Sequence, residues 1–178
     1  MKTIKIFSTV VLLLITNFVY SQQITSAELQ VTGLTCSMCS QATEKSLKTL
    51  SFVESITPDL NNNIFLIKFK NVPAVNMDLI KKKVQDAGFS IGSLAAVISF
   101  NNARIDGDGL VVNSTNAYRF INAKDKLLNG NVKVNILDKN FISASAYKKR
   151  SSQLNIPSYN TGYGTVNGKR IRIYHVSI

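Results

Sequence analysis

The sequence predicts an α+β chain: a β-α-β-β-α-β module over residues 24–97, then a small strand-rich domain, barrel- or sandwich-like, over residues 101–178. Three observations predict it. Across the first stretch, apolar spacing alternates between two and three-to-four in the order strand, helix, strand, strand, helix, strand. Across the second, short alternating segments are separated by turn residues. Charge divides in the same place: residues 22–95 carry seven Lys and six acids, whereas residues 96–178 carry twelve Lys or Arg and four Asp. Such a split suggests modules with different partners. With 45% hydrophobic and 17% charged residues over 178 positions, the chain has a folding composition, not that of a disordered one. Two Cys exclude a disulfide-rich scaffold, and one His excludes site chemistries that need several.

Ala27, Leu29 and Val31 alternate with Glu28, Gln30 and Thr32, which makes a half-buried strand ended by Gly33. Ser40 to Leu50 reads as a helix, with Thr43, Leu47 and Leu50 on one face and Glu44, Lys45 and Lys48 outward. Phe52 to Thr57 is a second strand, stopped by Pro58-Asp59. Asn61-Asn62-Asn63 supplies turn chemistry, and Ile64 to Lys70 closes a hairpin with Phe65, Ile67 and Phe69 on one side. Met77, Ile80, Val84 and Ala87 then fall on one helical face, and Gly88 suits the left-handed position after a helix. Lys81, Lys82 and Lys83 read as its solvated side. Phe89 to Phe100 supplies a fourth strand, with Gly92 as a place where it could break. Two helices over a four-stranded antiparallel sheet is a ferredoxin-like arrangement.

Cys36-Ser37-Met38-Cys39 lies between the first strand and the first helix. A lone Cys-x-x-Cys is compatible with half a zinc site, a redox pair or a two-thiolate soft-metal site. Cysteines three apart at a helix start can aim both sulfurs at one point. The positive end of the helix favours thiolate, the form that ligates metal. Soft thiolates suit Cu(I), which accepts two ligands. Zn²⁺ takes four, and the sole imidazole, His175, is far away in sequence. Met38, between the two, is a thioether more suited to packing or to solvent.

Val31 to Cys39, with Thr35 just before the first Cys, resembles the Gly-Met-Thr-Cys-x-x-Cys loop of the heavy-metal-associated domain family. That family includes copper chaperones, the N-terminal modules of copper-transporting P-type ATPases and periplasmic mercury-scavenging proteins. Val53-Glu54-Ser55-Ile56 is similar to its second strand, and Asp86-Ala87-Gly88-Phe89 to its Ala-Gly-aromatic turn. The resemblance covers about Ile24 to Val97. It implies that Cys36 and Cys39 are metal ligands, that Gly33, Thr35 and Phe89 support their loop, and that the aromatic turn lies close to it. Leu34 departs from the usual Met and keeps its apolar character. Phe89 stands where cytosolic chaperones often have Lys.

Met1–Lys5 carries two Lys, and Ile6 to Tyr20 is uncharged and mostly apolar, with Val19-Tyr20-Ser21 an acceptable cleavage site. Residues 1–21 therefore read as a signal peptide, too short for an ordinary spanning helix. The expected location is the periplasm, after cleavage; an uncleaved membrane anchor is the alternative.

The second half yields less. Asp106-Gly107-Asp108-Gly109 reads as a tight turn, since a calcium loop needs further ligands and a Glu, and none follows Glu54. Asn113-Ser114-Thr115 is a sequon with meaning only in a eukaryotic secretory path. Asn116 to Asn129 fits a helix, with a strand over Ala117 to Asn122 nearly as good. Val132 to Leu137 and Phe141 to Tyr147 read as strands, and Ser151 to Tyr159 as a polar loop. Asn167-Gly168 between alternating segments marks a type I′ hairpin. His175 reads as an ordinary strand residue. No Ser-His-Asp arrangement, carboxylate pair or phosphate loop is visible, so the chain is not expected to be an enzyme.

The expected function is an exported protein that captures Cu(I), or a similar heavy-metal ion, between Cys36 and Cys39 and passes it on by ligand exchange. The alternatives are a thiol–disulfide redox protein and an interaction module whose cysteines form an inert disulfide. The implied partners are the metal ion and a metal-transporting protein or acidic partner. Contact with a membrane surface through the basic half fits as well. Nucleic acid is not expected, because exported proteins seldom meet it.

Overall fold

The computed structural model describes residues 22–113 and 116–178. The expected leader, residues 1–21, lies outside the described residues, as do Ser114 and Thr115 of the sequon.

The first half follows the expected order: β1 (Gln23–Thr32), α1 (Ser37–Lys48), β2 (Val53–Asp59), β3 (Ile64–Phe69), α2 (Met77–Asp86) and β4 (Ser90–Arg104). The strands lie in the order β2-β3-β1-β4, all antiparallel. Thr43 and Leu47 of α1 are buried, as are Met77, Ile80 and Val84 of α2. They pack on Leu29, Val31, Phe65, Ile67 and Leu94 in one core. Asn76 caps α2, its side chain accepting the Leu79 N–H at 3.2 Å. Pro58 does not stop β2, which runs to Asp59. Gly92 does not break β4, whose fifteen residues make it the longest strand described.

The second half departs from expectation. Its strands are β5 (Leu110–Val112), β6 (Asn116–Phe120), β7 (Leu127–Ile136), β8 (Tyr163–Val166) and β9 (Lys169–Ser177). They do not build a separate barrel or sandwich. β7 pairs antiparallel with β4 from Ala95↔Asn135 to Arg104↔Leu127, so both halves share one nine-stranded sheet in the order β2-β3-β1-β4-β7-β9-β6-β5, with β8 on β9. The expected boundary between residues 97 and 101 falls inside β4. The physical reason lies in β4: Ala96, Ile98 and Phe100 are buried, and the strand offers a hydrogen-bonding edge on each side. β6 pairs with β9 in parallel and β5 with β6 antiparallel.

The stretch 116–129 holds no helix: β6, a loop and the start of β7 occupy it, and Ala117, Tyr118 and Phe120 of β6 are all buried. Phe141 to Tyr147 is not a strand. Ser143 accepts the Ala146 N–H at 3.3 Å and caps α3 (Ala144–Gln153), a helix that buries no residue. The polar loop holds a short turn of helix, α4 (Pro157–Thr161). Asn167 and Gly168 have φ of 49° and 74°, as a type I′ hairpin requires.

Gly109 holds a tight turn beneath β6. Its φ is +79°, and a Cβ there would lie 2.5 Å from the Phe120 carbonyl oxygen. Asp106 Oδ1 accepts the amides of Asp108 and Leu110, so the expected turn forms and that carboxylate is occupied. Gly130 has a similar φ of +73° but nothing within 4 Å of a Cβ. Gly109→Ala should therefore cost more than Gly130→Ala. We expect about 3 kcal/mol against about 1 kcal/mol, read from paired denaturant unfolding curves.

A polar bridge joins α2 to β9. Asp78 accepts Arg172 Nε at 2.8 Å, the Tyr174 hydroxyl at 3.0 Å and Lys81 Nζ at 2.6 Å. Burial pushes the Asp78 carboxyl up, but the hydrogen bonds and charges of Arg172 and Lys81 outweigh it and hold the group at about 2. The folded value lies below the unfolded one, so its stabilisation is complete above pH 4 and is lost as pH falls through about 2. Asp78→Asn should remove on the order of 1–2 kcal/mol of acid-dependent stability over that window. Acid titrations of wild type and variant, followed by circular dichroism, measure it.

Candidate functional site

The cysteine loop is built by the end of β1 and the start of α1. Gly33 turns the chain with φ +92°, and the Phe89 ring lies 3.6 Å from where a Cβ on Gly33 would be. The aromatic turn after α2 therefore does support the loop. Leu34 is half-buried against the core, as its apolar character requires. Cys36 is the N-cap of α1, with φ −145° and ψ 157°. Its sulfur accepts the backbone N–H of Cys39 at 3.2 Å. Cys39 sits on the first turn, and its carbonyl accepts the Thr43 hydroxyl at 3.1 Å. The sequence suggests Cys39 as the sulfur better placed to feel the helix dipole. The geometry favours Cys36, because an N-cap atom meets the free amides directly.

Cys36 and Cys39 are joined as a disulfide, with Cα atoms 5.3 Å apart. Cys36 is exposed and Cys39 half-buried. Met38 is 77% exposed, so it neither packs nor caps. No acidic residue lies in the first turn of α1, which leaves its positive end unopposed. A shallow hollow beside the pair is lined by Leu34, Thr35, Ser40, Leu60 and Asn63. Among the described residues, no group of three or more His, Cys, Asp or Glu converges in a way that could hold a metal. The donor set at the loop is thus two sulfurs, which suits a soft monovalent ion and not a four-coordinate divalent one. His175 lies elsewhere, buried in β9.

The sequence reading missed a second constellation. His175 Nδ1 is 2.7 Å from Asp138 Oδ1, and its Nε2 is 2.9 Å from Ser158 Oγ. Asp138 Oδ2 also accepts the His175 backbone N–H at 3.2 Å and Arg172 at 3.3 Å. A Ser-His-Asp arrangement is therefore present in the folded chain, contrary to expectation, and His175 is more than an ordinary strand residue. Seventeen and twenty residues separate its members in sequence. They meet only because β9 returns beside the end of β7 and under α4. The one available signal was that the chain's sole His shares a strand face with Ile171 and Ile173.

Residues 28–90 match the family model of the heavy-metal-associated domain. Over 73 residues the chain is 34% identical to the probable copper-transporting ATPase HMA5 of Arabidopsis thaliana, an alignment covering 40% of this chain and 7% of that protein. The chain thus spans a small fraction of the length of this curated relative. Among solved structures, the yeast copper transporter domain CCC2A is 30% identical, with 38% of this chain and 90% of that one covered and a TM-score of 0.34. The CopZ metallochaperone is 24% identical, with 38% and 98% covered and a TM-score of 0.35.

Proposed function

We propose that this chain captures a soft metal ion, Cu(I) foremost, between Cys36 and Cys39 and hands it to a metal-transporting partner. The observation that carries this reading is the placement of both sulfurs at the N-terminus of α1, on an exposed loop of a segment that matches the heavy-metal-associated domain. The metal is cargo. The disulfide must first be reduced, since only thiolates ligate. The helix end then favours both thiolates, and the Gly33–Phe89 contact fixes the loop beneath them. Cys36, the more exposed, is the sulfur an incoming thiolate displaces first. The hollow at Leu34 and Leu60 gives that partner an apolar footing next to Met38. A signal peptide over residues 1–21 supports an exchange outside the cytoplasm. The basic second half favours an acidic partner or an anionic membrane surface as the docking element.

Anaerobic titration of the full, pre-reduced chain with Cu(I), against a competing chromogenic chelator, tests the reading. One equivalent bound by the reduced form and none by the disulfide form is expected. Equal indifference of both forms to copper and silver overturns it. The disulfide itself favours one rival, a thiol–disulfide exchange protein. That rival predicts exchange with a small disulfide substrate far faster than by a free low-molecular-weight thiol.

A further inference from the structure

Asp138, His175 and Ser158 form a polar chain inside an otherwise apolar region. His175 is fully buried and Asp138 is 3% exposed, while Ser158 is 9% exposed. A carboxylate only accepts hydrogen bonds, so the 2.7 Å contact places the imidazole proton on Nδ1. The Nε2 lone pair then faces Ser158, whose hydroxyl donates to it across 2.9 Å. This is the polarity that activates a serine: a hydroxyl, a base to receive its proton, and a carboxylate that orients the base. Such a triad is identified by geometry and not by order along the chain.

The surroundings hold each member in place. Asp138 is fixed by the His175 backbone N–H and by Arg172. The Tyr159 ring meets the imidazole edge-on at 5.1 Å, and its hydroxyl donates to the Leu137 carbonyl at 2.7 Å. Burial, with the nearby Asp138 charge, raises the Tyr159 phenol to about 12, so it stays protonated as a donor. Ser158 opens onto a cleft of about 610 Å³ that Asp108, Arg119, Pro157, Gly164 and Ile173 also line. Gly164 lets the Ile173 side chain close in beside Ser158, since a Cβ there would lie 2.5 Å from Ile173 Cδ1 and 4.0 Å from Ser158 Cβ. Arg119 brings a cation to the same wall; its Nη1 donates to the Asp108 carbonyl at 3.3 Å, and its buried Nε has no hydrogen-bond partner among the described residues.

We propose that the Ser158–His175–Asp138 cluster is an acyl-transfer site that hydrolyses small carboxylic esters in this cleft, with an anionic group on the substrate meeting Arg119. This activity is independent of the metal reading. In the first step Ser158 Oγ forms a bond to the ester carbonyl carbon and its proton passes to His175 Nε2. The carbon–alkoxy bond breaks, and the leaving alcohol takes that proton. Water then attacks the acyl-serine, giving one proton to Nε2. The bond from Oγ to the acyl carbon breaks, and Ser158 recovers the proton as the acid departs. Ser158 and His175 are the catalytic residues. Asp138 is a positioning residue.

The test uses the full chain with a fluorophosphonate probe and the chromogenic esters p-nitrophenyl acetate and p-nitrophenyl succinate. Wild type should carry the phosphonyl group on the peptide containing Ser158, found by mass spectrometry. It should also hydrolyse both esters, the succinate faster. Ser158→Ala should lose the label and at least ~100-fold of the rate, with an unchanged circular dichroism spectrum. Arg119→Gln should narrow the preference for the succinate. Labelling of the wild-type chain needs no substitution, so a folding defect in a variant does not obscure it. No label on Ser158 after prolonged exposure to millimolar probe, label only at other residues, or full ester hydrolysis by Ser158→Ala overturns the proposal.

Discussion

Cys36→Ser should weaken Cu(I) binding by well over ~100-fold, because even the partners that merely orient a ligand are worth 10–100-fold. Cys39→Ser should do the same, and the double variant should leave no specific site. Among the described residues no further His, Cys, Asp or Glu joins the pair to compensate. The two single variants should differ in kinetics. Cys36 is exposed and receives the Cys39 amide, whereas Cys39 is half-buried under the first turn. A chain that retains only Cys39 should therefore exchange metal with a dithiol acceptor more slowly than one that retains only Cys36. Competition against a calibrated chelator gives the affinities, and stopped-flow transfer gives the rates.

Ile98→Ala is expected to destabilise the whole chain by roughly 3 kcal/mol, as deletion of a fully buried branched side chain usually does. Ile98 has no exposure, and it sits in register with Ile24 of β1 on one side and Val132 of β7 on the other. The loss should lower Tm by about 10 °C. Both halves should unfold in one transition, since β4 belongs to both and Arg172 of β9 ties them again at Asp78. Calorimetry of the full chain checks this. Two resolved transitions, with only the first shifted by the substitution, would mean that the shared sheet does not couple them.

The first half was legible because each of its elements has one buried face. Leu29 and Val31 in β1, and Met77, Ile80 and Val84 in α2, repeat with the period of their own backbone. The cysteines were legible because a helix N-cap is a local feature, written within four residues. The second half lacked both advantages. α3 buries nothing, so its sequence has no apolar stripe to reveal it, and only Ser143 ahead of Ala144 marks its start. β9 is covered on both faces over residues 173–176, so alternation there does not separate inside from outside. The joining of β7 to β4 is a contact between segments about thirty-five residues apart, and neither strand announces its partner. Asp138 looked like a turn residue and Ser158 like part of a polar loop. Only the return of β9 gives them a common neighbour in His175.

The length of β4 bears on any attempt to isolate the first half. A fragment that stops at its end would uncover the side on which Ala95 to Phe100 now meet Asn135 to Gly130. Those six positions, Ala-Ala-Val-Ile-Ser-Phe, carry no charge and contain no Pro. An uncovered border of this kind is a template for strand addition by other copies. The second half thus serves the first as a permanent cover against self-association. Excised domains should cloud or oligomerise at concentrations where the intact protein stays clear.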